Sequence, residues 1–212
     1  MAQVAPQSNF TSMGWFYRLA YNVVGFQLAL HRVKIEGREN VPTGGCLIVA
    51  NHVSFMDPTT VGWAVERELH YLARKSLFKP PFWNWFLPVC NVLPIDRDGG
   101  QDLSGLRRII RMLKEGHAVL IFPEGTRSPD GTIQAPIAGA GLIALKGEVP
   151  VLPVRIFGTF ESLSKDMIVP RFHSIRVVIG KPYLPTIPPG TKARDAHLPV
   201  AQEMMDRIAA LE

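Results

Sequence analysis

From Gly37 onward, apolar runs of strand length alternate with stretches of helical period, and few architectures accept that order. Cys46-Leu-Ile-Val-Ala50, preceded by the turn Pro42-Thr-Gly-Gly45, reads as a buried strand. His70–Ala73, His117–Phe122, Val149–Phe157 and Ser174–Ile179 read as further strands. Helical patterns separate them. Asp57-Pro58 opens a helix running to about Glu68, with Asp suited to the N-cap and Pro to the first turn. Asp102–Glu115 carries Leu103, Leu106, Ile110 and Leu113 on one face, leaves Arg107, Arg108, Arg111 and Lys114 largely off it, and stops at Gly116. Ala138–Lys146 and Asp195–Leu211 complete the set, the latter with Met204, Ile208 and Leu211 aligned. The expectation is an α/β fold with a mostly parallel central sheet flanked by helices. Prolines at 150 and 153 sit badly in a regular central strand and predict an edge, a bulge or a cavity wall. Pro182–Pro189 reads as a loop before the last helix.

The N-terminal stretch Phe10–Leu30 differs. It is apolar and aromatic but broken by Arg18, Asn22 and Gln27, whereas a spanning helix needs about 20 residues nearly free of charge. Trp15, Leu19, Val23, Phe26 and Leu30 share one helical face; Thr11, Arg18, Asn22 and Gly25 share another. That pattern fits a helix lying in a membrane interface, or one packed on the domain. Residues 1–32 are thus expected to form an N-terminal membrane-associated helical segment and 33–212 the main domain. Phe78–Pro88 concentrates aromatic rings beside Arg74, Lys75 and Lys79, suited either to lipid headgroups or to covering the core.

Composition narrows the partners. Hydrophobic residues make up 47% of the 212, and 23 Lys and Arg against 18 Asp and Glu leave a net charge of +5. Such a chain suits nucleic acid, an anionic membrane or a phosphorylated substrate. Nucleic acid is disfavoured because the basic residues are dispersed and the aromatics keep apolar company. The two cysteines, Cys46 and Cys90, have no metal-ligand spacing, no metal is expected, and a reducing compartment is the default. Met1–Asn9 holds no basic cluster, so no secretory signal is expected.

Four segments carry chemistry. Asn51-His52-Val53-Ser54-Phe55-Met56-Asp57 follows the first long strand, where open α/β sheets place their sites. A carboxylate at Asp57 can accept the His52 imidazole N–H, fix its tautomer and leave the other nitrogen to take a proton. Alternatively, Asp57 caps its helix and His52 bonds local backbone. Phe122-Pro123-Glu124-Gly125-Thr126-Arg127-Ser128 offers a glycine for a tight path, hydroxyl and backbone donors, and a guanidinium fork for phosphate or carboxylate; the plain alternative is a surface turn with an Arg–Glu pair. Val92–Arg97 places Arg97 beside an apolar run, as an anion anchor or a solvated ion pair. Val149–Val154 is the proline-containing strand. No G-x-S-x-G elbow is present, and Ser54 has no glycine frame, which disfavours a serine hydrolase.

In this order the four segments closely resemble the glycerolipid acyltransferase family, typified by bacterial lysophosphatidate (1-acyl-sn-glycerol-3-phosphate) acyltransferases. The family's NHxxxxD motif falls on Asn51–Asp57, its arginine motif on Leu93–Arg97, its glutamate–glycine motif on Phe122–Ser128 and its proline strand on Val149–Pro153, over about residues 35–182. The resemblance implies His52 as general base and Asp57 as its partner. It implies Asn51, Arg97, Glu124, Gly125, Thr126 and Arg127 as substrate-binding residues. The implied reaction moves a fatty acyl group from acyl-CoA or acyl-carrier protein to lysophosphatidate, giving phosphatidate, with no cofactor. The implied location is peripheral or monotopic on the cytoplasmic face of the cell membrane. Another lysolipid acceptor, such as a lyso-ornithine lipid, an acyl thioesterase and a non-catalytic membrane-binding protein are the competing readings. Two departures stand out: Asn91 occupies a position often Gly in the family, and Ala135–Gly139 lacks a Lys that many members carry. The family also has two N-terminal membrane-associated helices, where one candidate is visible here.

Overall fold

Cys46-Leu-Ile-Val-Ala50 has no polar residue to turn toward water on either side, so it must lie between two covered faces. The computed structural model, which describes residues 15–96, 102–167 and 169–212, places it in the middle of a seven-stranded sheet, with all five residues buried. The strands are β1 (Lys34–Glu36), β2 (Cys46–Ala50), β3 (Leu69–Arg74), β4 (Val92–Ile95), β5 (Ala118–Ile121), β6 (Val151–Phe157) and β7 (Arg176–Ile179), in the order β1-β7-β6-β2-β5-β3-β4. Every paired neighbour is parallel except β6 with β7. The helices are α1 (Trp15–Ala29), α2 (Asp57–Ala64), α3 (Pro81–Val89), α4 (Leu103–Lys114), α5 (Ala138–Gly147), α6 (Thr159–Leu163) and α7 (His197–Ala209).

Side-chain alternation along the strands divides the core in two. Leu47, Val49, Val119, Ile121 and Val151 face α4, α5 and α7. Ile48, Ala50, Leu120, Leu152 and Val154 face α2 and Leu28 of α1. The α5–α7 contact is so close that a Cβ at Gly141 would lie 1.8 Å from the carbonyl oxygen of His197, which only glycine avoids.

Several expectations are corrected. α4 buries Ile109, Met112 and Leu113, with Leu106 packed beside them, while Leu103 is exposed and Ile110 only partly buried; the buried stripe is rotated from the expected one. α2 ends at Ala64 rather than near Glu68, where Glu66 enters the left-handed region at φ 49°. Pro153 lies in an interior strand, not at an edge. Its carbonyl accepts from Gly180 N, so its nitrogen faces β7 just past the last β7 residue, and the ladder to β2 loses nothing. Pro94 does sit in an edge strand, β4. Strands β1 and β4 and helices α3 and α6 are short elements that the sequence pattern does not announce. Asn91 adopts φ 58°, a backbone that glycine takes freely and asparagine readily.

Helix α1 packs on the domain with one face and leaves the other open. Tyr17, Ala20, Tyr21 and Val24 face the domain: the Tyr17 and Tyr71 hydroxyls are 3.0 Å apart, and the Tyr21 hydroxyl donates to the Trp63 carbonyl at 3.0 Å. The opposite face, Trp15, Leu19, Val23, Phe26 and Leu30, is exposed, with Trp15 at 78% and Phe26 at 73%. Among the described residues no helix is long and apolar enough to cross a membrane.

Candidate active site

The loop between β2 and α2 folds around one carboxylate. Asp57 is completely buried, and its Oδ2 accepts from Val53 N and Ser54 N, both at 2.7 Å, and from His52 Nδ1 at 2.9 Å. Its Oδ1 accepts from Thr159 Oγ1 at 2.7 Å. The helix-cap alternative is therefore set aside. Asp57 is the first residue of α2, Met56 occupies the N-cap without a side-chain bond, and the Asp57 carboxylate reaches back over the loop. An ionised carboxylate only accepts, so the Nδ1 facing it carries hydrogen and Nε2 is left as the nitrogen with a free lone pair. The His52 ring stacks on Phe122 at 3.9 Å between centroids, and its side chain keeps 17% of its surface exposed.

The loop after β5 holds the backbone of His52 from both sides. His52 N donates to Glu124 Oε1 at 3.0 Å, and His52 O accepts from Ser128 N at 2.8 Å. Glu124 also accepts from Gln134 N at 3.3 Å. Burial pushes the Glu124 carboxyl up to about 7, the two N–H donors oppose this, and the charge on Asp57 adds to it. Gly125 turns the chain at φ 73°, and Thr126 is exposed beside it. Arg127 lays its guanidinium over the Phe55 ring at 3.4 Å, and its Nη1 is buried without a hydrogen-bond partner among the described residues. Burial draws its pKa down, offset by Asp57.

Two expected substrate contacts change character. Asn51 donates through Nδ2 to Ile156 O at 3.0 Å and accepts through Oδ1 from Ile156 N at 2.8 Å, extending the β2–β6 pairing by a side chain. Its amide thus braces β6 rather than pointing at a ligand. Glu124 is likewise a brace for the His52 backbone. Arg97 lies outside the described residues. Among the described residues no cluster of His, Cys, Asp or Glu is placed to hold a metal ion.

Two cavities meet at Phe122. One, of about 510 Å³, is almost wholly apolar and runs between α1 and α3 over α2 and β3, with Tyr21, Phe55, Trp63, Leu72, Trp83 and Phe86 in its wall. The other, of about 450 Å³, has Leu72, Leu106 and Ile143 in its wall and Asp96, Glu124 and Thr126 at its polar side. The sequence reading missed Phe122 as the floor under His52, Phe55 as the cover of Arg127, and Thr159. Phe55 and Phe122 lie inside two of the motifs, but aromatic character alone does not mark them as neighbours of Arg127 and His52. Thr159 lies 102 positions from Asp57, and no local signal marks it.

Comparison with known proteins bears directly on this arrangement. An acyltransferase family model matches residues 32–157. The chain is 30% identical over 199 residues to the 1-acyl-sn-glycerol-3-phosphate acyltransferase of Bacillus subtilis, covering 92% of each. It is 33% identical over 156 residues to a chloroplastic enzyme of that name from Brassica napus, 72% of this chain but 45% of the relative, so it spans just under half the length of that plant protein. The crystal structure of the 1-acyl-sn-glycerophosphate acyltransferase PlsC from Thermotoga maritima superposes with a TM-score of 0.75 at 28% identity, covering 91% of this chain and 78% of that one. On its His–Asp site, its mostly parallel sheet and these matches, the chain belongs to the acyltransferase family.

Proposed function

We propose that this protein transfers a fatty acyl group from an acyl thioester, acyl-CoA or acyl-carrier protein, to the free hydroxyl of lysophosphatidate, forming phosphatidate at a membrane surface. The observation that carries this reading is the His52–Asp57 pair at 2.9 Å, set beside an apolar cavity of about 510 Å³. Relatives from bacteria, yeast and plants named for this activity support it.

An alcohol is a poor nucleophile at neutral pH, so a base must take its proton as the new bond forms. His52 Nε2 fills that role, and positioned base catalysis is worth about 10²–10⁴-fold. The hydroxyl oxygen attacks the thioester carbonyl, the tetrahedral intermediate collapses, and the imidazolium returns the proton to the departing thiolate. Asp57 stays ionised and stabilises the imidazolium. The cavity between α1 and α3 suits one fatty chain. Arg127, with one face on Phe55 and Nη1 unpartnered, suits the acceptor phosphate.

Membrane docking is supported by the outer faces of α1 and α3. Phe82 and Trp85 are exposed on α3, which has no fully buried residue, and Lys75 and Lys79 lie just before it. The aromatic segment thus lines the cavity with Trp83, Phe86 and Leu87 while turning other rings outward. The cytoplasmic face of the membrane is the side where the expected donors are found. A second acceptor class remains in view because Ile137, 52% exposed and packed against Gly125, puts an apolar side chain rather than a cation beside the glutamate–glycine loop.

The test is a screen of lysolipid acceptors with one acyl-CoA, with products identified by mass. Phosphatidate as the dominant product is expected. A preferred non-phosphate lysolipid would replace the acceptor, and thiol release independent of any lysolipid would replace acyl transfer with hydrolysis.

A further inference from the structure

We infer that Thr159 is the positioning residue that sets the plane of the Asp57 carboxylate and, through it, the aim of the His52 imidazole; this rests on the reading of His52 as the base. Thr159 lies two positions beyond the last residue matched by the family model, and none of the four motifs contains it.

The argument starts from an imbalance. Three of the four hydrogen bonds to Asp57 converge on Oδ2, from His52 Nδ1, Val53 N and Ser54 N. Among the described residues the Thr159 hydroxyl supplies the one hydrogen bond to Oδ1, at 2.7 Å, and both residues are fully buried. A dehydrated anionic oxygen without a donor is costly. Without the hydroxyl, rotation of the carboxylate would share the three remaining donors between both oxygens. That rotation moves Oδ2 off Nδ1 and turns the imidazole with it.

The surrounding backbone holds the hydroxyl in place. Gly158 sits at φ 84°, and a Cβ there would lie 2.0 Å from Ser174 O, so the chain passes hard against the segment leading into β7. Ser162 Oγ donates to Gly158 O at 2.7 Å. At the other end of α6, Ser54 Oγ from the histidine loop donates to Leu163 O at 2.6 Å. The short helix is therefore latched to the histidine loop at both its first and last residues. It acts as a bracket between the catalytic loop and the β6–β7 end of the sheet.

The experiment measures acyl transfer from acyl-CoA to lysophosphatidate by purified Thr159→Val, Thr159→Ser and His52→Ala proteins, with thermal melting of each. Valine keeps the shape and removes the donor; serine keeps the donor. T159V should lower kcat by about 10- to 100-fold, with KM for both substrates within about twofold of the parent. T159S should retain most of the parent kcat. The downfield Nδ1 proton of His52 in the NMR spectrum should shift or vanish in T159V and persist in T159S. If T159V does not fold, Thr159→Ala is read against T159S in the same way. A T159V kcat within about twofold of the parent, or a T159S defect as large as that of T159V, overturns the proposal. An inactive H52A beside an unaffected T159V removes Thr159 alone, whereas an active H52A removes the base on which the proposal rests.

Discussion

Helices α5 and α7 touch across a glycine, whereas α1 and α3 line a cavity of about 510 Å³ and turn aromatic rings outward. Both pairs cover the same sheet. Gly141 brings α7 within backbone contact of α5, and Val200, Ala201, Met204 and Ile208 fill the space behind. On the other side Tyr17, Tyr21 and Trp63 pack well near the sheet, but toward α3 the apolar walls do not meet. The lesson is a division of labour. One helix pair supplies cohesion, the other leaves an apolar cavity open, and the His52–Asp57 pair sits at the strand ends beside that cavity.

Substitutions on each side can break or sharpen this contrast. Gly141→Val drives a side chain into the α7 backbone and should cost about 3 kcal/mol. At about 2–4 °C per kcal/mol for a chain of this size, calorimetry should show melting some 6–12 °C lower, roughly, by the same conversion. Unchanged melting would mean the close pair is not the cohesive one. Arg127→Ala tests the seam. Loss of a charge-assisted phosphate contact is worth about 1.5–3 kcal/mol, so the acceptor KM should rise about tenfold or more while the donor KM holds. Equal effects on both would move Arg127 away from the acceptor.

Phe26→Ser with Trp85→Ser addresses the outside of the open pair. Both rings are exposed, so melting in solution should hold, while flotation with anionic vesicles should weaken several-fold, given about 1.5–3 kcal/mol for full burial of a large apolar side chain. Undiminished flotation would leave those faces without a lipid role. The smallest effect is expected at Glu124. Its carboxyl is raised from 4.5 to about 7 in the folded protein, so folding favours the protonated form. The resulting stabilisation is complete below the unfolded value and is lost as pH rises through about 7. Glu124→Gln removes that titration, so the parent's melting temperature should fall relative to the variant's between about pH 5 and pH 8, the window set by the raised carboxyl. A pH-independent difference would contradict the assignment.

Much of this contrast was legible in the residues, and the unread parts share a cause. Strand β2 and the α1 stripe announce themselves because local periodicity and tertiary environment agree: Cys46–Ala50 is buried on both sides, and Trp15, Leu19 and Phe26 share a face. Likewise, His52 and Asp57 lie five positions apart, so a single turn brings them together. The α4 stripe was misjudged because Leu103 and Ile110 fit the helical pattern as well as Ile109 and Met112 do, and only the packing of α5 and the sheet selects between them. Pro153 looked misplaced because the end of β7, which spares its missing N–H, is fixed by the pairing of Pro153 with Gly180, far away in sequence. Asn51 is expected at the ligand only through the resemblance of its motif, and its partner becomes visible once β6 is laid next to β2. Thr159 is the same case at greater distance.

The central claim is that His52, steered by Asp57, makes an alcohol nucleophilic enough to take a fatty acyl group. It is tested most directly by acyl transfer from acyl-CoA to lysophosphatidate with purified His52→Ala and Asp57→Asn proteins whose melting matches the parent. Both should lose about 10²-fold or more in kcat. Activity within a few-fold of the parent in both would contradict the account.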